Sequence, residues 1–119
     1  MHKILYVEDN KDTAIAVKTI LESEGYNVEL AFTGKEGIVK LEKKNFDLVI
    51  LDIMLPDING IEVFGEAVKK RKNCKYAILS IITVPGGKLK ELKKKGMTEC
   101  INKPFRKNDL LVKIKKILE

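Results

Sequence analysis

Acidic, hydroxyl and ammonium side chains follow short apolar runs at four places in this chain. Glu8 and Asp9 follow the first run, Asp52 and Ser80 follow later ones, and Lys103 comes just after the last. If those runs are parallel strands, their carboxyl ends meet at one edge of a sheet, which is where open α/β sheets bind ligands. The sequence therefore predicts that these side chains share one pocket.

The residue types in that pocket indicate a particular chemistry. Three carboxylates repel each other unless a cation lies among them, and hard oxygen ligands suit Mg²⁺ or a similar divalent ion. An ammonium and a hydroxyl in the same place require an anion. A phosphoryl group held between metal and lysine satisfies both demands, so we expect a phosphoryl-transfer site with a carboxylate nucleophile.

Length and composition predict a single domain. The chain has 119 residues, of which 45% are hydrophobic, so it can bury one sizeable core and we expect one domain over residues 1–119. An apolar stretch of about 18 residues is missing, and Met1 leads almost directly into a strand, which predicts a soluble, cytoplasmic protein without a membrane span. Cys74 and Cys100 lie far apart without a nearby histidine, which predicts reduced thiols.

The charge is distributed unevenly along the chain. The formal net charge is +6, and lysines cluster in segments 69–75, 88–95 and 103–116. A solvated lysine-rich surface is the simplest interpretation. A basic docking surface for an acidic protein comes next. Nucleic-acid binding is the least favoured, because arginines and interleaved aromatic residues are scarce.

The elements that must position the pocket alternate between strand and helix five times, which favours a parallel sheet covered on both faces. Helices are predicted over residues 12–24, 61–70 and 88–96 and at the carboxyl terminus, and strands at residues 27–31 and 76–79. Thr33 and Glu36 have the spacing of a capping box that opens a further helix. Ile15 falls on the polar face of the first helix, where we expect it to be exposed.

The order of these motifs resembles the receiver domain of two-component response regulators. The matching pieces are Glu8 with Asp9, Asp52 followed by Leu-Pro-x-x-x-Gly, Ser80, and Lys103 with Pro104 and Phe105. Each piece alone is common, but all of them in this order span nearly the whole chain. The resemblance implies an α/β, flavodoxin-like fold, a doubly wound five-stranded parallel sheet of order 2-1-3-4-5 with five helices. It also implies a single-domain regulator.

The resemblance implies that Asp52 accepts a phosphoryl group from the phosphohistidine of a histidine kinase or phosphotransfer protein. The exposed Ile15 beside the pocket is our candidate contact for that kinase. A downstream target protein, unidentified from the sequence, would then bind the phosphorylated form. Such a protein is a phosphoacceptor that promotes its own phosphorylation, and we do not class it as a turnover enzyme. Met54 and Ile82, two residues after Asp52 and Ser80, offer no group to orient an attacking water, which predicts slow self-dephosphorylation.

The family pattern also assigns roles to the other pocket residues. The implied Mg²⁺ ligands are Asp9, Asp52, Glu8 through water, and the backbone carbonyl of Met54. Ser80 would donate its hydroxyl to the phosphoryl oxygens, and Lys103 would offset the charge gained on phosphorylation. The family's peptide bond before Pro104 is cis, a state that the sequence alone leaves open.

Three departures from the family pattern concern signalling. Cys100 stands where the family usually has an aromatic residue. In the family that ring moves inward when the hydroxyl at the Ser80 position moves towards phosphate, and a thiol would leave this movement without the ring that responds to it. Ile81 replaces a small alanine, which predicts narrower access for the phosphodonor. One residue more than usual separates Ser80 from Lys103, and together with Pro85 this predicts an altered connection into the fourth helix.

Three alternative functions compete with this interpretation. A divergent receiver could act as a largely phosphorylation-independent protein-binding module through its basic C-terminal half. A haloacid-dehalogenase-type phosphatase would need a second acid where this chain has Met54. A flavin-binding carrier of the same fold would need a Ser, Thr and Gly loop where this chain has Glu8 and Asp9. Retention of the acids, the hydroxyl and the lysine favours the phosphoacceptor.

Overall fold

Strands and helices alternate from one end of the chain to the other. The computed structural model describes residues 2–71 and 73–119, so Met1 and Lys72 of the first lysine cluster lie outside the described residues. In chain order the elements are β1 (Lys3–Val7), α1 (Lys11–Glu22), β2 (Asn27–Ala31), α2 (Gly34–Lys43), β3 (Leu48–Leu51), α3 (Gly60–Lys70), β4 (Lys75–Ser80), α4 (Gly86–Lys94), β5 (Met97–Asn102) and α5 (Lys107–Leu118).

The strands form one parallel sheet in the order β2-β1-β3-β4-β5. This confirms the predicted flavodoxin-like arrangement with five helices. All four residues of β3 and the last four of β1 are buried, because helices cover both faces of a parallel sheet. Their apolar runs are therefore continuous and do not alternate with polar residues.

Successive residues of each strand contribute to opposite faces of the sheet, and each face has its own apolar core. Tyr6 and Ile50 pack with residues of α1 and α5 in one core. Leu5, Leu51 and residues of α2, α3 and α4 form the other. The sheet is thus fixed between two layers of helices, and its carboxyl edge is left for the polar residues that follow the strands.

Helix α1 begins one residue earlier than predicted and ends two residues earlier. Asn10 explains the start, since its side-chain oxygen accepts a hydrogen bond of 2.9 Å from the backbone N–H of Thr13. Gly25, with φ of 89°, follows the helix in the left-handed region. Ile15 is 56% exposed, as its place on the polar face predicted.

Helix α4 also differs from its prediction, which placed the start near Lys88. The helix begins at Gly86, and the backbone N–H of Leu89 donates to the carbonyl of Pro85 over 2.9 Å. Gly86 and Gly87 occupy the first turn, where backbone N–H groups need no acceptor within the helix. Their low helix propensity is therefore tolerated there.

The altered connection into α4 stays a prediction, and the pairing of β5 with β4 has an irregularity of its own. Tyr76 pairs with Met97 and Ala77 with Glu99, so the register of β5 shifts at Thr98. The shift lies in the edge strand, where a bulge disturbs few neighbours. Beyond it the pairing is regular again, with Ser80 opposite Asn102.

Gly60, the first residue of α3, packs directly against the end of β3. Its backbone N–H donates to the carbonyl of Ile53 over 2.8 Å. A Cβ atom at this position would lie 2.0 Å from the backbone oxygen of Asp52, which cannot move without moving the strand end. The glycine of the Leu-Pro-x-x-x-Gly motif therefore permits the close approach of α3 to Asp52.

We expect Gly60→Ala to destabilise the fold by about 1–3 kcal/mol or more, because the added methyl overlaps backbone atoms. Gly65 of the same helix is the matched control, since a Cβ there meets nothing within 4 Å. Gly65→Ala should stabilise the helix by about 0.5–1 kcal/mol. Urea unfolding of both variants measures the two changes, and an unchanged stability of Gly60→Ala would contradict the packing argument.

Candidate functional site

Three carboxylates gather at the carboxyl edge of the sheet. Oxygen atoms of Glu8, Asp9 and Asp52 all lie within 4.8 Å of one another. The register accounts for this, because Val7 pairs with Leu51 and the acids are the residues that come next. Glu8 and Asp52 are 1% and 8% exposed, whereas Asp9 is exposed. The predicted acidic cluster is therefore present and opens to solvent on the side of Asp9.

Lys103 supplies a positive charge to this cluster. Its Nζ atom forms ion pairs with Glu8 Oε1 and, at 3.3 Å, with Asp52 Oδ2. The backbone N–H of Lys103 donates to the carbonyl of Ser80 over 2.8 Å, which fixes the turn that carries the side chain. The peptide between Lys103 and Pro104 is cis. A side chain from the carboxyl-terminal part of the chain thus joins two acids from β1 and β3.

Backbone N–H groups hold the side chains of Asp52 in the cluster and of Ser80 at the end of β4. The N–H of Met54 donates to Asp52 Oδ1 over 3.1 Å, and the N–H of Ile82 donates to the Ser80 hydroxyl over 3.0 Å. A serine hydroxyl that accepts through its oxygen can still donate its one hydrogen, so Ser80 can bond an incoming acceptor. The Met54 side chain is 55% exposed. The role of the Met54 backbone carbonyl as a ligand of Mg²⁺ stays a prediction.

Sequence reasoning missed one member of the site, Tyr6. Its hydroxyl donates to Glu8 Oε1 over 3.0 Å, and its side chain is fully buried. The pKa of Tyr6 is raised, mainly by burial and then by the negative charges of Glu8 and Asp52. The hydroxyl therefore keeps its proton. The available signal was a tyrosine two residues before Glu8, since residues at that spacing share a face of a strand.

The donor set fits Mg²⁺. All the clustered ligand atoms are carboxylate oxygens, the hard ligands that this ion prefers, and the exposed Asp9 gives access from solvent. Two buried carboxylates share the single ammonium of Lys103, so the cluster has an excess of negative charge. A divalent cation at Glu8, Asp9 and Asp52 would offset that excess.

The loop after Asp52 is tied to α2 by Asp57. Its two carboxylate oxygens accept hydrogen bonds from the backbone N–H groups of Gly34, at 2.8 Å, and Lys35, at 2.9 Å. Burial tends to raise the pKa of Asp57, but these backbone N–H groups outweigh it and lower the pKa overall. Thr33 also caps this helix, accepting from the N–H of Glu36 as predicted, while Glu36 accepts from Phe32.

The family model for the response regulator receiver domain matches residues 4–115. This chain belongs to that family. It is 37% identical over 123 residues to a transcriptional regulatory protein, the CpxR homolog of Haemophilus influenzae, in an alignment that covers 99% of this chain and 51% of that protein. The chain therefore spans about half the length of this curated relative. As a receiver domain it is part of two-component signalling, in which phosphorylation carries the signal.

Solved structures of other receivers have the same fold as this one. A CheY-like receiver domain protein from Methanospirillum hungatei is 37% identical with a TM-score of 0.92, over 99% of this chain and 94% of that chain. Response regulator TrrA of Thermotoga maritima, solved in complex with Mg²⁺-BeF, is 36% identical with a TM-score of 0.87, over 99% of this chain and all of that chain. The fold and family predictions are thus confirmed.

The departures from the receiver pattern lie around the pocket and leave its side chains in place. Cys100 is a free, partly buried thiol that packs against the core below α4. Ile81 is 69% exposed, so its side chain is not packed into the site, and narrowed donor access remains a prediction. Cys74 is also a free thiol. Among the described residues, the helices of this receiver are too short or too polar to cross a membrane.

We expect Asp57→Ala to lower the free energy of unfolding by about 1 kcal/mol at neutral pH, because two N–H groups of α2 lose their acceptor. Since the pKa of Asp57 is lower in the folded state, its stabilisation is present above the unfolded pKa. It is lost as the pH falls through the folded pKa. Urea unfolding between pH 7 and pH 3 measures this, and a difference that grows towards low pH would contradict it.

Proposed function

We propose that Asp52 accepts a phosphoryl group from the phosphohistidine of a histidine kinase or phosphotransfer protein, in a reaction that depends on Mg²⁺. One observation carries the proposal. The Asp52 side chain, only 11% exposed, lies both within the acidic cluster and against the ammonium of Lys103. A carboxylate between a cation site and a lysine can receive a phosphoryl group whose charge both partners offset.

Each residue of the pocket has a separate role in the proposed reaction. A carboxylate oxygen of Asp52 attacks phosphorus, so an aspartyl O–P bond forms while the P–N bond to the donor imidazole breaks and leaves its electron pair on nitrogen. The N–H of Met54 orients the Asp52 carboxylate for that attack. Ser80 donates its free hydrogen to a phosphoryl oxygen, and Lys103 shifts its ammonium towards the new negative charge.

Glu8, Asp9, Asp52 and the backbone carbonyl of Met54 would hold Mg²⁺, with Glu8 acting through water. When bound, the ion supplies positive charge to the phosphoryl oxygens. The complex of the Thermotoga maritima response regulator with Mg²⁺-BeF supports this choice of metal. The excess negative charge of the cluster around Lys103 supports it independently.

The basic carboxyl-terminal part supports a proposal for the downstream partner. Residues 86–119 contain eleven lysines and arginines and four acids, whereas the first 85 residues carry a net charge near zero. Helices α4 and α5 of this segment pack on the edge strand β5. We therefore expect the target to be an acidic protein that binds this side of the molecule. The exposed Ile15 on α1 remains our candidate kinase contact.

Phosphorylation of Asp52 is tested by intact-mass spectrometry after incubation with phosphoramidate, with and without Mg²⁺. We expect one added phosphoryl mass that requires Mg²⁺ and is lost in Asp52→Ala. Asp57→Ala is the matched control, because this carboxylate of the adjacent loop binds the start of α2 and should leave the adduct intact.

Absence of the adduct in the wild-type protein at saturating Mg²⁺ would contradict the proposal. It would favour the alternative, a phosphorylation-independent binding module that uses the basic carboxyl-terminal half. An adduct that persists in Asp52→Ala would show instead that another residue is the acceptor.

We also expect the phosphoryl group to be lost slowly, over times much longer than seconds. Met54 is 55% exposed and Ile82 is 45% exposed, yet neither side chain can hydrogen-bond an attacking water. Met54→Gln, which adds such a group, should shorten the lifetime, whereas the apolar Met54→Leu should not. Mass spectra at timed intervals after donor removal give the lifetime. Loss within seconds from the wild-type protein would refute the prediction.

A further inference from the structure

The carboxylate of Glu8 has an unusually complete set of hydrogen-bond donors. Oε1 accepts from the Tyr6 hydroxyl, at 3.0 Å, and also contacts the ammonium of Lys103. Oε2 accepts from the backbone N–H of Asn10 at 3.3 Å. Because Glu8 is only 1% exposed, solvent contributes little to its hydration, and these protein groups determine where its oxygens lie.

The proposed phosphorylation would remove one of those donors. Lys103 now divides its ammonium between Glu8 Oε1 and Asp52 Oδ2, and a phosphoryl group on Asp52 would attract that ammonium. A buried carboxylate that loses a charged partner is strongly destabilised unless another group compensates. Glu8 would then depend on the cation, on Asn10 and on the hydroxyl that stays behind.

We propose that Tyr6 is a positioning residue of the acidic pocket, whose hydroxyl keeps the Glu8 carboxylate directed towards the divalent cation when Lys103 turns to the phosphoryl group. The inference rests on the proposed function. Tyr6 suits this task because its ring is fully buried in the core between the sheet and helices α1 and α5. The Tyr6 side chain has only two torsions and its ring is packed in the core. Its hydroxyl therefore stays in place when the Lys103 ammonium moves.

Tyr76 provides a matched control for the loss of a buried hydroxyl. It lies on β4, is fully buried, and donates its hydroxyl to the backbone carbonyl of Arg71 over 2.8 Å, at the opposite end of the sheet from the acidic cluster. Tyr6→Phe and Tyr76→Phe therefore remove the same group from similar environments. Both retain the ring, and urea unfolding establishes that each variant is folded and by how much it is destabilised.

The decisive measurement is the dissociation constant for Mg²⁺ of the unphosphorylated chain, from a titration followed by the backbone amide signals in NMR. It is made in the wild-type background and in Lys103→Ala, which reproduces the state in which the ammonium has left Glu8. In Lys103→Ala we expect Tyr6→Phe to weaken Mg²⁺ binding about ten-fold. In the wild-type background the loss should be smaller, because Lys103 still holds Glu8. Tyr76→Phe should leave the constant unchanged in both backgrounds.

Two results would overturn the inference. An unchanged Mg²⁺ affinity of Tyr6→Phe in Lys103→Ala would show that the hydroxyl does not position Glu8. An equal loss in both backgrounds would show that Tyr6 acts independently of Lys103 and does not replace it.

The outcome is separable from that of the proposed function, since the titration involves no phosphoryl transfer. If wild-type protein takes no phosphoryl group while the ten-fold effect is present, the proposed function fails and Tyr6 still positions Glu8.

Discussion

The structure of the site depends on the burial of two carboxylates beside one ammonium. Glu8 and Asp52 are both less than one-tenth exposed, and Lys103 reaches both. A buried acid without a partner costs several kcal/mol, so the pocket requires Lys103 to be in place. One ammonium offsets only part of the charge of two buried acids and Asp9. The remaining negative charge favours a divalent cation in the pocket, and the fold must tolerate that charge whenever no cation is bound.

The sheet tolerates this charge because it fixes the acids through the backbone. Pairing of β1 with β3 brings Glu8 beside Asp52, and the contact of Gly60 with the end of β3 holds α3 close behind Asp52. On the other side, β5 pairs regularly with β4 from the register shift at Thr98 to Asn102, the residue before Lys103. Apolar cores on both faces prevent the strand ends from separating under the repulsion of the acids.

Much of this arrangement could be predicted from the sequence, because the chemistry follows strand ends and strand ends are marked by apolar runs. The pocket acids and Lys103 were expected together for this reason, and the structure brings them together, while their roles and that of Ser80 stay predictions. Tyr6 was missed because a tyrosine within an apolar strand predicts a core residue. Only the structure shows that its hydroxyl contacts Glu8. The Asp57 contact with α2 was missed because it joins segments more than twenty residues apart. The bulge at Thr98 was missed because the pattern of apolar residues in so short a strand does not show where its register shifts.

The predicted effects of Ile81 and Cys100 concern signalling, and the contacts that hold Ser80 and Lys103 do not involve the side chains of these two residues. Ser80 is positioned by the N–H of Ile82, and Lys103 is aligned by its own N–H on the carbonyl of Ser80. Both contacts use backbone atoms, so they do not depend on the side chains at positions 81 and 100. Cys100 in β5 packs against the core that includes Leu92 of α4, within the basic carboxyl-terminal part of the chain. A thiol there is too small to convey the movement of Ser80 as a ring would. We therefore expect the altered coupling to appear in what binds the phosphorylated form, since the backbone contacts that hold Ser80 and Lys103 are in place.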